Sequence, residues 1–259
     1  MASADLSIEA ARAAVVRYGQ RLVADRLVYG SAGNLSIRIG DKVVMSPSGL
    51  NYDQITDEHV NVLSADGTIL EGTGRRSSEW PMHRRVYDLT SGGSGGSSLR
   101  DSTSGGSGGS SLRDSTSGGS GGSSLRDSTA RAVIHTHSPF GVAVGTLWDE
   151  IPAVHYSVLR LGGPTVRVAG YTTFGSDGLA ENVAAALEDR FACLLQNHGA
   201  VAYGADIEEA YDRVQLIEWM AEVYWRARLA GTPRILSGEE LAAVSEAARQ
   251  HRYHDRGRP

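Results

Sequence analysis

The sequence runs to 259 residues, 41% hydrophobic and 21% charged, with a net charge of −5. These averages mix two polymers, because residues 91–129 repeat the unit SGGSGGSSLRDST three times without one difference; the other ~220 residues are roughly 47% apolar, ordinary for one globular domain with a sizeable core. The acidic balance, with no basic stripe, excludes nucleic acid as the main partner, and no apolar stretch reaches the ~18 residues a membrane span needs.

Asp5 stands where a secretory leader would be basic, so the chain is expected in the cytoplasm. Apolar residues Ile8, Ala11, Val15, Leu22 and Val23 fall near helical spacing and predict an amphipathic helix over 7–28, stopped by Tyr29-Gly30. Residues 35–39 and 42–45, joined by Gly40-Asp41, read as a hairpin, as do 60–63 and 68–70 around Asp66-Gly67. Ser77 and Ser78 precede a helix through Val86, with Pro81 in a first turn that tolerates the missing N–H.

The repeat follows. Natural repeats drift, these copies do not, and Gly/Ser-rich composition is that of a flexible linker, so 91–129 reads as an engineered insertion. Residues 1–90 and 130–259 then form one domain. A longer surface loop costs only about 0.6 kcal/mol per doubling, so the host fold should survive it.

Beyond the repeat, strands are expected at 132–137, 165–168, 191–196 and 200–203. Helices are expected at 140–147, 178–190 and 207–230, with a last one after Ser237. The whole is α/β. The lone cysteine, Cys193, cannot make an internal disulfide and reads as strand packing.

His135 and His137, two apart in a strand, project from one face with Cα atoms roughly 6.5 Å apart, a separation suited to one metal ion. An HxH pair alone also fits strand histidines that merely hydrogen-bond. His198, in an Asn-His-Gly turn between two strands, is placed to be aimed rather than buried. Three imidazoles with an open position are a catalytic zinc arrangement. The Ser77-Ser78-Glu79 triplet offers hydroxyls and free N–H groups at a helix N-terminus, which suits a phosphate dianion or a plain N-cap with a first-turn acid. Gly33-Asn34 and Ser48-Gly49 are small polar turn pairs that let backbone approach a ligand.

Taken in order, AGNLS (32–36), SPSG (46–49), SSEWPMH (77–83), HTH (135–137), IPAVHY (151–156), YTTFG (171–175) and QNHG (196–199) resemble the class II aldolase and L-ribulose-5-phosphate 4-epimerase superfamily. Within it they are most similar to the L-fuculose-1-phosphate aldolases. The resemblance covers nearly everything outside the repeat. It implies a central, mainly antiparallel sheet flanked by helices, one zinc ion per subunit (or manganese or cobalt in its place), and ring-shaped homotetramers with sites between subunits. It places the metal ligands on His135, His137, His198 and Glu79, with Glu79 also the catalytic acid and base. The phosphate pocket falls on Gly33, Asn34, Ser48, Gly49, Ser77 and Ser78. Tyr156 matches a catalytic tyrosine contributed by a neighbouring subunit, and Tyr253 a mobile C-terminal one, although its flanking residues differ.

The activity implied is reversible cleavage of a ketose 1-phosphate into dihydroxyacetone phosphate and an aldehyde, as with L-fuculose 1-phosphate and L-lactaldehyde. Superfamily alternatives are 5-deoxyribulose-phosphate cleavage, decarboxylation of 3-oxo-tetronate 4-phosphate and 4-epimerisation, although the epimerases carry aspartate where Glu79 stands. A non-enzymatic adducin-like module would lack the histidines, and an engineered scaffold would keep them incidentally.

Overall fold

Five strands buried on both faces form the middle of the sheet: β1 (Asn34–Ile39), β2 (Lys42–Met45), β5 (Ala132–Thr136), β8 (Ala192–Leu195) and β9 (Gly199–Gly204). The computed structural model describes residues 6–91 and 129–250. The repeat between Ser91 and Thr129, and Tyr253, lie outside the described residues. With β3 (Asn61–Leu63), β4 (Ile69–Glu71), β6 (Glu150–Ile151) and β7 (Val166–Ala169), the strand order is β4-β3-β2-β1-β5-β9-β8-β7-β6. Every pairing is antiparallel except β7 with β8, so the expected mainly antiparallel sheet is what forms.

Alternation along each strand sorts the side chains into two cores. Leu35, Ile37, Ile134, Leu194 and Ala202 face one way. They pack with α1 (Ile8–Ala24), α3 (Pro139–Gly145) and α5 (Ile207–Ala230). Met45, Val133, Cys193, Leu195 and Val201 face the other way, against α2 (Trp80–Thr90) and α4 (Asp177–Ala186). A last helix, α6 (Gly238–Gln250), buries Leu241. The result is a single α/β domain, sheet in the middle and helices on both faces. Cys193 is buried in β8, and burial pushes its thiol well above the usual range.

Several boundaries differ from the sequence expectation for local reasons. The first helix ends at Ala24, not near Val28. Arg26 takes a left-handed conformation (φ 58°), and the N–H groups of Leu27 and Arg26 return to the carbonyls of Leu22 (2.8 Å) and Val23 (3.0 Å). This is the Schellman arrangement, formed without glycine. It turns the Leu27 carbonyl to accept the His137 N–H at 3.1 Å. The α4 helix stops at Ala186, short of Arg190, and Asp189 (φ 56°) is again left-handed. The two-residue β6 and the 3-10 helix Tyr156–Leu161 carry no periodic signal long enough to read. In contrast, α2 outlasts its expected end and runs to Thr90, whose Oγ1 accepts the Ala130 N–H at 3.0 Å. The two ends of the repeat therefore meet at one point.

Candidate active site

The site forms where three sheet-derived turns meet the start of α2. Register pairs Asn34 of β1 with His135 of β5, and His135 with Val201 of β9. Because Ile134 faces the first core, His135 must face the second, towards α2. His137 follows one residue past the end of β5. His198 lies in the Gln196-Asn197-His198 loop, since Leu195 pairs with Gly199. Asn197 supplies the left-handed step (φ 54°), which asparagine tolerates better than most residues.

Gly199 is a steric requirement. A Cβ there would lie 2.0 Å from the Thr136 carbonyl oxygen and 3.3 Å from His135 Cε1. Gly199→Ala is therefore expected to destabilise the fold by at least about 2 kcal/mol, because the obstacle is backbone and cannot rotate away. A urea unfolding series would show the loss, and an unchanged midpoint would contradict this packing.

Glu79 is the N-cap residue of α2 but caps nothing; its carboxylate turns to the histidines. Oε2 lies 3.1 Å from His135 Nε2 and Oε1 3.2 Å from His198 Nε2. The three imidazoles stand edge to face, with centroids 4.7, 4.8 and 4.9 Å apart. One ligand atom from each of Glu79, His135, His137 and His198 lies within 4.8 Å of all the others.

The chemistry of these donors fits a divalent cation. His135 donates Nδ1–H to the Ala200 carbonyl at 2.9 Å, which leaves a bare Nε2 lone pair facing the cluster. The Nε2 atoms of His135 and His137 are only 2.8 Å apart. Glu79 Oε1 is buried, and no described donor hydrogen-bonds to it. Lone pairs converging without protons to share are what a cation satisfies.

Without an ion, burial works to lower His135, but the Glu79 carboxylate outweighs it and raises the imidazole, so the cluster calls for positive charge of the kind a divalent cation supplies. Burial works to raise the Glu79 carboxyl, but the His135 and His198 imidazoles outweigh it and hold the acid well below the usual carboxylate range. Burial, then repulsion from His135 and His198, pushes His137 down to about 3, so its imidazole is neutral. A neutral imidazole is the ligating form.

A cleft of about 350 Å³ opens over the cluster. Its walls include Gly33, Asn34, Ser48, Ser77, Ser78 and Glu79 among the residues expected from the sequence, with His137 and His198. His135 lies behind them, fully buried. Gly33 is left-handed (φ 73°), and a Cβ on it would meet the His135 carbonyl oxygen at 2.7 Å. Ser77 Oγ accepts the Glu79 N–H at 3.2 Å, whereas Ser78 is exposed. Gly49 (φ 77°) shapes the turn beside Ser48 but does not line the cleft. Asn34 lines it, yet its amide is engaged with Glu79 and His83. Tyr156 is 52% exposed on its 3-10 helix and is not a wall of this cleft.

Sequence reasoning assigned no role to Tyr171 and Phe174, both exposed and both cleft residues, although they stand in the YTTFG motif. Gly175 brings that loop in; its own Cβ would meet the Ser78 carbonyl oxygen at 2.7 Å. Ser36, His83 and Tyr87, which lie behind Asn34, were also missed.

A two-faced α/β domain with a cluster of three histidines and one glutamate under a hydroxyl-rich cleft is the frame of a metal-dependent lyase. A family model described as the class II aldolase and adducin N-terminal domain matches residues 13–92 and 124–225. The chain belongs to that family, as an enzyme of its class II aldolase branch. It is 31% identical over 237 residues to a 5-deoxy-D-ribulose 1-phosphate aldolase of Bacillus thuringiensis, covering 91% of this chain and 93% of the relative. It is 32% identical over 218 residues to an L-fuculose phosphate aldolase of Escherichia coli, covering 84% of each chain. A solved L-fuculose 1-phosphate aldolase superposes with a TM-score of 0.73 at 29% identity, covering 96% of this chain and 98% of the other. No described helix is long and apolar enough to cross a membrane.

Proposed function

We propose that this protein is a zinc-dependent aldolase that reversibly cleaves a ketose 1-phosphate, such as L-fuculose 1-phosphate, into dihydroxyacetone phosphate and an aldehyde, L-lactaldehyde in that case. The observation that carries the reading is the convergence of His135, His137, His198 and Glu79 beneath a cleft walled by Ser48, Ser77 and Ser78.

His135, His137 and His198, with Glu79 in the resting state, would hold the ion. When bound, the divalent cation supplies Lewis acidity that stabilises the enediolate left on breaking the C3–C4 bond. Ser48, Ser77 and Ser78, with the backbone at Gly33, grip the phosphate through hydroxyl and N–H groups, remote from the reacting carbon. Gly49 gives the Ser48 turn its shape. This hold places C3 against Glu79. Glu79 delivers a proton to that carbon in cleavage and removes it in synthesis. Tyr156, exposed here, acts at the aldehyde end of a neighbouring subunit's site, with Tyr253 as a further catalytic tyrosine, in a cytoplasmic homotetramer.

A second reading has its own support. The relative from Bacillus thuringiensis that matches over 93% of its length is named for 5-deoxy-D-ribulose 1-phosphate. Both substrates yield dihydroxyacetone phosphate and differ in the aldehyde. Turnover of each, followed by coupled detection of dihydroxyacetone phosphate and of the aldehyde released with it, separates the readings. A decarboxylase would instead give carbon dioxide and dihydroxyacetone phosphate, with no aldehyde, from 3-oxo-tetronate 4-phosphate, and turnover of that acid alone would overturn both readings.

Residues 91–129 are, on this reading, an engineered insertion with no part in the chemistry. Replacing 92–128 by a four-residue turn shortens the closed loop by about three halvings. The expectation is a gain of about 2 kcal/mol in unfolding free energy and unchanged kcat. Lost activity in the shortened chain would give the repeat a function.

A further inference from the structure

Behind the carboxylate of Glu79 runs a buried line of polar side chains that the reaction above does not use. Asn34 Nδ2 lies 2.8 Å from Glu79 Oε2, and Asn34 Oδ1 lies 2.5 Å from His83 Nε2. His83 Nδ1 is 2.7 Å from Ser36 Oγ, which is 2.7 Å from the Tyr87 hydroxyl. Asn34, Ser36, His83 and Tyr87 are each at least nine-tenths buried.

Donor and acceptor inventory gives this line one direction. An ionised carboxylate only accepts, so Asn34 must present its NH2 group to Glu79 and its carbonyl oxygen to His83. His83 must then carry its proton on Nε2, which leaves Nδ1 to accept from the Ser36 hydroxyl. Ser36 in turn accepts from Tyr87. Four donors point the same way and end on one carboxylate oxygen. Burial keeps the imidazole neutral, holding His83 down to about 3. In a low-dielectric interior such aligned bonds reinforce one another.

We propose that His83 is a positioning residue for Glu79: its Nε2–H fixes the orientation of the Asn34 amide, and that amide pins Glu79 Oε2, with Ser36 and Tyr87 setting the imidazole tautomer. Without the His83 N–H, either end of the amide could face the carboxylate, and one of the two orientations sets oxygen against oxygen. With Oε2 held by Asn34, Oε1, which faces His198 Nε2 at 3.2 Å, is the oxygen left to take and give the proton. The inference rests on the reading of Glu79 as the proton-transfer group. It also gives Asn34 a different task from the phosphate contact expected of it.

Two substitutions of similar chemistry separate positioning from packing. The terminal amide of His83→Gln reaches where the imidazole Nε2 stands and keeps a donor for Asn34; that of His83→Asn reaches only the Nδ1 position and does not. The His83→Asn chain is expected to lose about 30-fold in kcat, the worth of the Asn34 amide's hydrogen bond to the charged Glu79 once nothing holds that amide in place. His83→Gln should recover most of that, with KM for the ketose phosphate and metal content unchanged in both. Equal losses in the two variants, or KM and melting temperature moving together with kcat, would overturn the proposal.

Nitrogen-15 spectra of the wild-type full chain, with and without zinc, test the arrangement independently of turnover and of either variant's folding. His83 should appear as the neutral Nε2–H tautomer; an Nδ1–H tautomer would refute the proposal even in an active enzyme. Conversely, a wild type that cleaves no ketose phosphate but shows the Nε2–H tautomer would sink the aldolase reading and leave the hydrogen-bonded arrangement standing.

Discussion

Glu79→Gln should lower cleavage by at least about a hundredfold, the loss expected when a positioned acid–base group is removed. The substitution is nearly isosteric and the surroundings can accept it. The glutamine oxygen can take the Asn34 N–H that now reaches Oε2, and its NH2 group would face His198 Nε2, 3.2 Å from Oε1 in the native chain. What the amide cannot do is carry a proton to carbon and back. Because the serine hydroxyls at 48, 77 and 78 are untouched, the loss should sit in kcat with KM nearly constant. Metal analysis of the purified variant should still find about one ion per chain, since three imidazoles suffice for a zinc site with an open position. Turnover within tenfold of wild type, at full metal occupancy, would remove Glu79 from the chemistry.

The histidine pair was legible because its signal is local. Period-two alternation in a strand settles which face His135 and His137 share, and β5 obeys it, with Ala132 and Ile134 in one core and Val133 in the other. The approach of Glu79 was not legible from spacing, since it lies 56 positions before His135 and the contact depends on α2 docking across β5. Only the order of the motifs suggested it. The Asn34–His83 link was hidden for the same reason. It needs the register of β1 on β5 and the placement of α2 together, so Asn34 read as one more small turn residue. The early end of α1 was concealed differently. A left-handed Arg26 leaves no mark in sequence, where a glycine would have, yet that turn is what offers the Leu27 carbonyl to His137. Apolar periodicity thus revealed the layers, while the polar contacts that build the site came from long-range pairings no window contains.

His198→Ala should abolish metal-dependent activity while sparing the fold, and this separation makes it the sharper test of the site as a whole. The turn that carries His198 is shaped by its neighbours: Asn197 takes the left-handed step, Gly199 allows β9 to pass the Thr136 carbonyl, and the His198 N–H returns to the Leu195 carbonyl at 3.2 Å. None of these needs the imidazole, whose side chain is 12% exposed at the cleft and stands edge to face against the His135 and His137 rings. The metal-free variant and the metal-free wild type should therefore melt together. Added zinc should separate them. An ion bound only by the folded chain stabilises it by about 4 kcal/mol at a thousand times its dissociation constant, so the wild-type melting temperature should climb with zinc. With one ligand gone, affinity should fall by well over the roughly hundredfold that even outer contacts to a metal are worth, and the variant should show almost no climb. If the variant instead kept one ion per chain and the full zinc-dependent shift, His198 would not be a ligand and the four-residue cluster would need another explanation.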